Sequence, residues 1–156
     1  MRQVTLCYLL RDDEILLGVK KRGFGAGRYN GFGGKPRDDE SLEAAAIREL
    51  REECGIDAEE SSLRKMGEIS FYFPQRPDWD QVVHVYFINE WSGEPRETDE
   101  MRPEWVLLKD LDYDRMWDAD RHWLPQALEG KFVKGKAVYS ADQKLVEHDI
   151  KTSAAG

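Results

Sequence analysis

Apolar residues alternate or run continuously over Val4–Leu10, Ile15–Lys20, Arg64–Phe73, Val82–Glu90 and Glu104–Leu108, and this pattern predicts strands there. Weaker segments near Phe132–Tyr139 and Lys144–Ile150 predict two more. Asp12-Asp13 and Ser92-Gly93 mark turns. Residues Ser41 to Cys54 carry a helical period, with Ser41 placed to cap its start and Gly55 to end it. A second helix is predicted over Asp120–Leu128, ending at Gly130. Strands before, between and after two helices predict an α+β or mixed α/β class and argue against a doubly wound sheet. No repeat or Pro-rich hinge interrupts the chain, so residues 1–150 are expected to form one domain, followed by a frayed polar tail over 151–156.

Composition narrows the classes of function. The chain has 156 residues, 40% of them apolar, with five Trp, six Tyr and six Phe, which is enough for a packed core and excludes general disorder. The apolar run Val82–Ile88 is broken by His84 and is far shorter than the roughly 20 residues a membrane span needs. Leu6–Leu10 is followed at once by Arg11, Asp12, Asp13 and Glu14, which does not fit a secretory signal. Two cysteines, Cys7 and Cys54, give neither a disulfide framework nor a metal knuckle, and are expected as buried thiols in a reducing, cytoplasmic setting. A net charge of −8 argues against a nucleic acid polymer or an anionic membrane as partner. The local exception is Lys20, Lys21, Arg22 and Arg28, which flank a glycine-rich stretch and would attract a small polyanion carried with a divalent cation.

At 100° per residue, Glu49, Glu52 and Glu53 lie within about one quadrant of the first helix. Leu50, Ile47, Ala44 and Cys54 fall opposite and predict the core stripe, while Ala45 and Ala46 are expected beside the acids, leaving space above them. Arg48 lies one turn before Glu52, placed to hold part of the acid stripe. The loop Phe32-Gly33-Gly34-Lys35 leads into the helix, and its glycines let backbone approach a ligand closely. Clustered carboxylates facing such a loop suit a hard cation, Mg²⁺ first and Mn²⁺ second, and disfavour zinc.

The segment Gly34–Ile56 resembles the Nudix box, G-x5-E-x7-R-E-U-x-E-E-x-G-U with U aliphatic. It matches at Gly34, Glu40, Arg48, Glu49, Leu50, Glu52, Glu53, Gly55 and Ile56. The resemblance implies an αβα sandwich around a mixed β-sheet, with the box as loop–helix–loop, and Mg²⁺-dependent hydrolysis of a nucleoside diphosphate linked to another moiety. It implies Glu49, Glu52 and Glu53 as metal ligands, joined by the Gly33 carbonyl. Arg48 would orient the glutamates, Lys35 would face phosphate and Glu40 would brace the loop. Glu100, in the segment Thr98–Pro103, is the candidate for a further carboxylate outside the box. The general base stays open among Glu52, Glu53 and water on the metal.

Three further blocks, Leu16–Pro36, Asp99–Val106 and Arg115–Leu124, resemble the oxidised purine nucleoside triphosphate hydrolases of the MutT-homologue type. Six glycines fall between Gly23 and Gly34, but their spacing fits neither a dinucleotide fingerprint nor a P-loop. The resemblance implies a base pocket walled by Phe24, Phe71, Phe73, Trp117 and Trp123, with Trp117 as the stacking partner. Asn30 and Asp120 would read the base edge, while Thr5 and Lys20 would lie toward base, sugar or phosphates. Phe32, Gly33, Gly34, Lys35, Asp118 and Ala119 complete the expected substrate surface. The family's mammalian members carry two adjacent aspartates where this chain has Ala119-Asp120, so oxidised guanine is implied first and oxidised adenine is left open. Products would be the monophosphate and pyrophosphate. The alternatives are a Nudix hydrolase of an ordinary dNTP, a dinucleoside polyphosphate or ADP-ribose, or a non-catalytic nucleotide-binding module.

Overall fold

The computed structural model describes residues 1–23 and 25–154. Among these, eight strands form one mixed sheet: β1 (Arg2–Arg11), β2 (Glu14–Lys20), β3 (Tyr29–Asn30), β4 (Arg64–Tyr72), β5 (Gln81–Ile88), β6 (Met101–Leu107), β7 (Lys131–Tyr139) and β8 (Leu145–Ala154). Helix α1 spans Leu42–Cys54 and α2 spans Asp120–Leu128. The sheet order is β3-β2-β1-β5-β4-β7-β8, with β6 pairing β2. The β1–β5 and β4–β7 pairs are parallel, and the other pairs are antiparallel.

Alternation along the strands divides the core between two faces. Cys7 and Leu9 of β1 pack with Leu16, Tyr86, Ile88 and the α1 residues Ala46, Leu50 and Cys54. Tyr8 of β1 points the other way, joining Ile15, Leu17, Val85 and Phe87 against Trp123, Leu124 and Ala127 of α2. A helix therefore covers each face, giving the αβα sandwich. Fully burying a side chain such as Leu50 contributes about 1.5–3 kcal/mol. Among the described residues no helix is long and apolar enough to cross a membrane.

One irregularity of the sheet sets up the site. β1 pairs with β2 only from Leu9↔Leu16 to Arg11↔Glu14. Earlier along β1 the two strands part, and Phe32–Gly34 takes the place of β2. The Cys7 amide donates to the Phe32 carbonyl at 2.6 Å, the Phe32 amide donates back at 2.8 Å, and the Thr5 amide donates to the Gly34 carbonyl at 2.9 Å.

Several expectations need correction. Ala45 and Ala46 are both fully buried, while Ala44 and Ile47 are only partly so, because the core-facing stripe of α1 runs through Ala46, Leu50, Glu53 and Cys54. Of the tail expected over 151–156, residues 151–154 extend β8, pairing as far as Lys131↔Ala154, because β7 is long enough to supply backbone partners, and residues 155–156 lie outside the described residues. Short β3, which pairs Gly18↔Asn30 and Val19↔Tyr29, was not signalled by the apolar pattern, since two residues carry no period.

Candidate active site

Helix α1 starts where the Ser41 hydroxyl accepts the Ala44 amide at 3.0 Å. It ends at Gly55, whose left-handed φ of 74° lets its amide return to the Arg51 carbonyl. Ahead of it, the chain at Gly33 runs so close to β1 that a Cβ there would overlap the Thr5 carbonyl, so only glycine fits. A Cβ on Gly34 would stand 2.8 Å from the Glu49 carboxyl. The Gly33 amide donates to Glu53 Oε1 at 2.8 Å, which joins loop and helix directly.

Arg48 is the hub of the acid stripe. Its Nε and Nη2 grip both Glu40 oxygens at 2.8 and 2.9 Å. Its Nη1 donates to Glu49 at 2.9 Å and to Glu52 at 3.2 Å, and Nη2 also reaches the Lys35 carbonyl at 3.3 Å. Glu40 additionally accepts the Arg37 amide at 3.0 Å. Arg48 and that amide hold the Glu40 carboxyl down at about 2, so it stays ionised as a brace for the loop.

Glu100 approaches from the segment before β6. The Thr98 hydroxyl donates to the Glu53 carbonyl at 2.8 Å and accepts the amides of Glu100 at 3.4 Å and Met101 at 3.3 Å. On the other side, the Lys21 amide donates to the Glu100 carbonyl at 2.9 Å. The Glu53 carboxyl is pushed up to about 8, chiefly by burial and then by Glu49, with Glu100 adding and the Gly33 amide and Lys20 opposing. Glu49 is raised too, its burial outweighing Arg48, with Glu52 and Glu100 contributing. These carboxylates are costly to ionise together, and a divalent cation would relieve that cost. Their all-oxygen donor set, with the Gly33 carbonyl at hand, fits a hard metal ion. Among the described residues no three such side chains are yet gathered closely enough to enclose one. Arg48 holds one oxygen each of Glu49 and Glu52, and the Gly33 amide holds one of Glu53.

A cavity of about 370 Å³ opens beside this stripe. Glu53, Gly33, Gly34, Thr5 and Lys20 are among the residues that line it, together with Asn30, Phe71, Phe73, Trp117, Asp120 and Trp123. Trp117 is braced from two directions: the Arg28 guanidinium lies 4.1 Å from its ring centroid, and Tyr139 meets it edge-on at 5.6 Å. Asp120 is buried, and its Oδ1 accepts the Trp123 indole N–H at 3.1 Å. Burial pushes the Asp120 carboxyl up to about 7 despite hydrogen bonds from Trp123 and the Trp117 backbone and the nearby charge of Arg28. Asn30 Nδ2 donates to the Arg28 carbonyl at 3.1 Å, which leaves its Oδ1 for a ligand.

Other expected residues lie elsewhere. Phe32 is fully buried on the α1 face. Lys35 is exposed and contributes its carbonyl to Arg48. Asp118 is exposed, its Oδ2 accepting the Leu145 amide at 3.2 Å, and the Ala119 amide donates to the Tyr139 hydroxyl at 2.9 Å. None of these four lines the cavity, and Phe24 lies outside the described residues. Tyr139 and Thr98 escaped sequence reasoning. Tyr139 sits at an apolar position of a strand pattern and Thr98 in a polar loop, so neither carried a motif.

Comparison with known proteins agrees with this geometry. The model of the NUDIX domain matches residues 1–127. Oxidized purine nucleoside triphosphate hydrolase of Danio rerio is 40% identical over 147 residues, covering 94% of this chain and 92% of that protein. The protein of the same name from Mus musculus is 38% identical over 150 residues, covering 96% and 94%. The crystal structure of a mutator MutT protein from Bacillus halodurans superposes with a TM-score of 0.81, covering 97% of this chain and 98% of that one at 23% identity, and so shares the fold. Matched by that domain over residues 1–127, and 40% identical to a named hydrolase over 94% of its length, the chain belongs to the Nudix hydrolase family.

Proposed function

We propose that this protein hydrolyses oxidised purine nucleoside triphosphates, 8-oxo-dGTP first, to the monophosphate and pyrophosphate in a Mg²⁺-dependent reaction. Residues 1–150 act in this reading as one domain. The observation that carries it is a single cavity bounded by Glu53 and Gly33–Gly34 in one part and by Trp117, Asp120 and Trp123 in another. A nucleotide with its phosphates toward the carboxylates has its base against the aromatic wall. The names of the two vertebrate relatives support the same substrate class.

Glu49, Glu52, Glu53, Glu100 and the Gly33 carbonyl would hold the metal, with Mn²⁺ expected to substitute for Mg²⁺. When bound, the ion supplies neutralisation of the phosphoryl oxygens and orientation of the attacking water. Arg48 sets the rotamers of Glu49 and Glu52. Lys20, which lines the cavity, attracts the polyphosphate. Water adds across the anhydride bond between the α- and β-phosphates and pyrophosphate leaves, the water's proton passing to Glu52, to Glu53 or directly to solvent. Trp117 stacks on the base while Asn30 and Asp120 read its edge.

The test is kcat/KM for 8-oxo-dGTP, 2-hydroxy-dATP, dGTP and ADP-ribose, measured side by side with Mg²⁺, with products identified by chromatography. A clear preference for the oxidised triphosphates is expected. Equal or better hydrolysis of dGTP or ADP-ribose overturns the reading.

A further inference from the structure

Tyr139, at the end of β7, is 1% exposed, yet it lines the cavity. Its ring is stacked between Phe71 and Phe73, with centroids 6.0 and 5.5 Å away, and its edge meets Trp117. These neighbours leave the phenol little freedom to turn. Its oxygen accepts the Ala119 amide at 2.9 Å. A phenol that accepts such a bond still holds its own proton, and among the described residues no acceptor takes it. Burial holds the hydroxyl in its protonated form at any physiological pH. Asp120, the residue after Ala119, lines the same cavity and is a hydrogen-bond acceptor.

We infer that the Tyr139 hydroxyl is a specificity-determining donor, which together with Asp120 reads a lactam edge, an N–H beside a carbonyl, on the purine. The carbonyl oxygen accepts from Tyr139 and the adjacent N–H donates to Asp120. A 6-oxo or 8-oxo purine presents such an edge, whereas a 6-aminopurine without an oxo group does not. The Ala119 methyl offers no polar atom of its own, so the donor reaches this corner from β7 and not from the α2 end. The inference rests on the base-reading part of the function proposed above and names the feature being read.

The experiment compares the unaltered protein with Tyr139→Phe, which keeps the ring and its stacking and removes only the hydroxyl. Calorimetry measures Kd for the monophosphates 8-oxo-dGMP, dIMP and dAMP, which needs no hydrolysis. Turnover of the matching triphosphates is recorded in parallel, and urea denaturation reports the cost of the orphaned Ala119 amide. The lactam nucleotides should bind about tenfold more weakly to Tyr139→Phe, the scale of one lost buried hydrogen bond, while dAMP changes less than about twofold. Equal losses for all three ligands would show a packing role alone and overturn the inference. Unchanged binding of all three, or no binding of lactam nucleotides to the unaltered protein, would do the same. A selective binding loss in a protein that hydrolyses no purine triphosphate would leave the inference standing and remove the proposed activity instead.

Discussion

Glu53, on the last turn of α1, accepts the amide of Gly33, a residue that precedes the first turn of the same helix, at 2.8 Å. The loop therefore folds back along a helix of 13 residues, about 20 Å long. Glu53→Gln keeps an acceptor for that amide and, at pH 7, resembles the carboxyl that burial already holds largely protonated. Its metal-free stability should stay within about 1 kcal/mol of the parent, while Mg²⁺-dependent turnover falls about 100-fold or more. Urea denaturation and steady-state rates check both halves. Undiminished turnover would move the active site elsewhere.

Thr98 is not among the residues lining the candidate cavity, yet its one hydroxyl ties the Glu100 segment to the end of α1. We expect Thr98→Val to raise the Mg²⁺ concentration for half-maximal activity about tenfold, with kcat at saturating Mg²⁺ little changed and Thr98→Ser restoring the parent value. A Mg²⁺ titration of the three proteins decides it. Identical curves would mean that Glu100 is positioned without Thr98.

Trp117 presents one surface to the cavity and is supported by Arg28 and Tyr139. Removing the ring in Trp117→Ala should raise KM by the equivalent of about 1–3 kcal/mol. Changes in kcat should be smaller, because the carboxylates and Arg48 are untouched. A fall in kcat at constant KM would contradict a stacking role.

Asp120 gives a pH signature of opposite sign to that of most native carboxylates. Its carboxyl is raised from 3.8 to about 7, so the folded protein binds a proton that the unfolded chain has released. Its contribution to stability therefore declines as pH rises from about 4 to about 7 and is level above that. Asp120→Asn does not titrate, and its stability relative to the parent should climb across the same window. Urea midpoints at pH 4.5, 6 and 7.5 measure the trend, and a constant difference would refute it.

The acid stripe is legible in the residue order because helical spacing alone places Glu49, Glu52 and Glu53 together and puts Arg48 one turn from Glu52. The same spacing does not say which side faces the core, and Ala45 and Ala46 are buried against expectation. That choice depends on how α1 packs onto β1 and β6, a property of the whole sheet. Tyr139 is unreadable for a related reason: alternation in β7 marks it as inward, but only the parallel β4–β7 pairing brings it to Phe71 and Phe73. The small polar residues 151–154 resemble a loose end because nothing local reveals that β7 provides a partner.

The slot in which Phe32–Gly34 lies against β1 has a consequence for how such a protein can diversify. The groups proposed to split phosphate are anchored to the sheet on that side, where even a methyl group at Gly33 would collide with Thr5. The surfaces proposed to choose a base come from β3, β4, β7 and the segment that opens α2. Descendants can trade one nucleobase for another by exchanging single side chains on the second set, and inherit the hydrolytic apparatus unaltered.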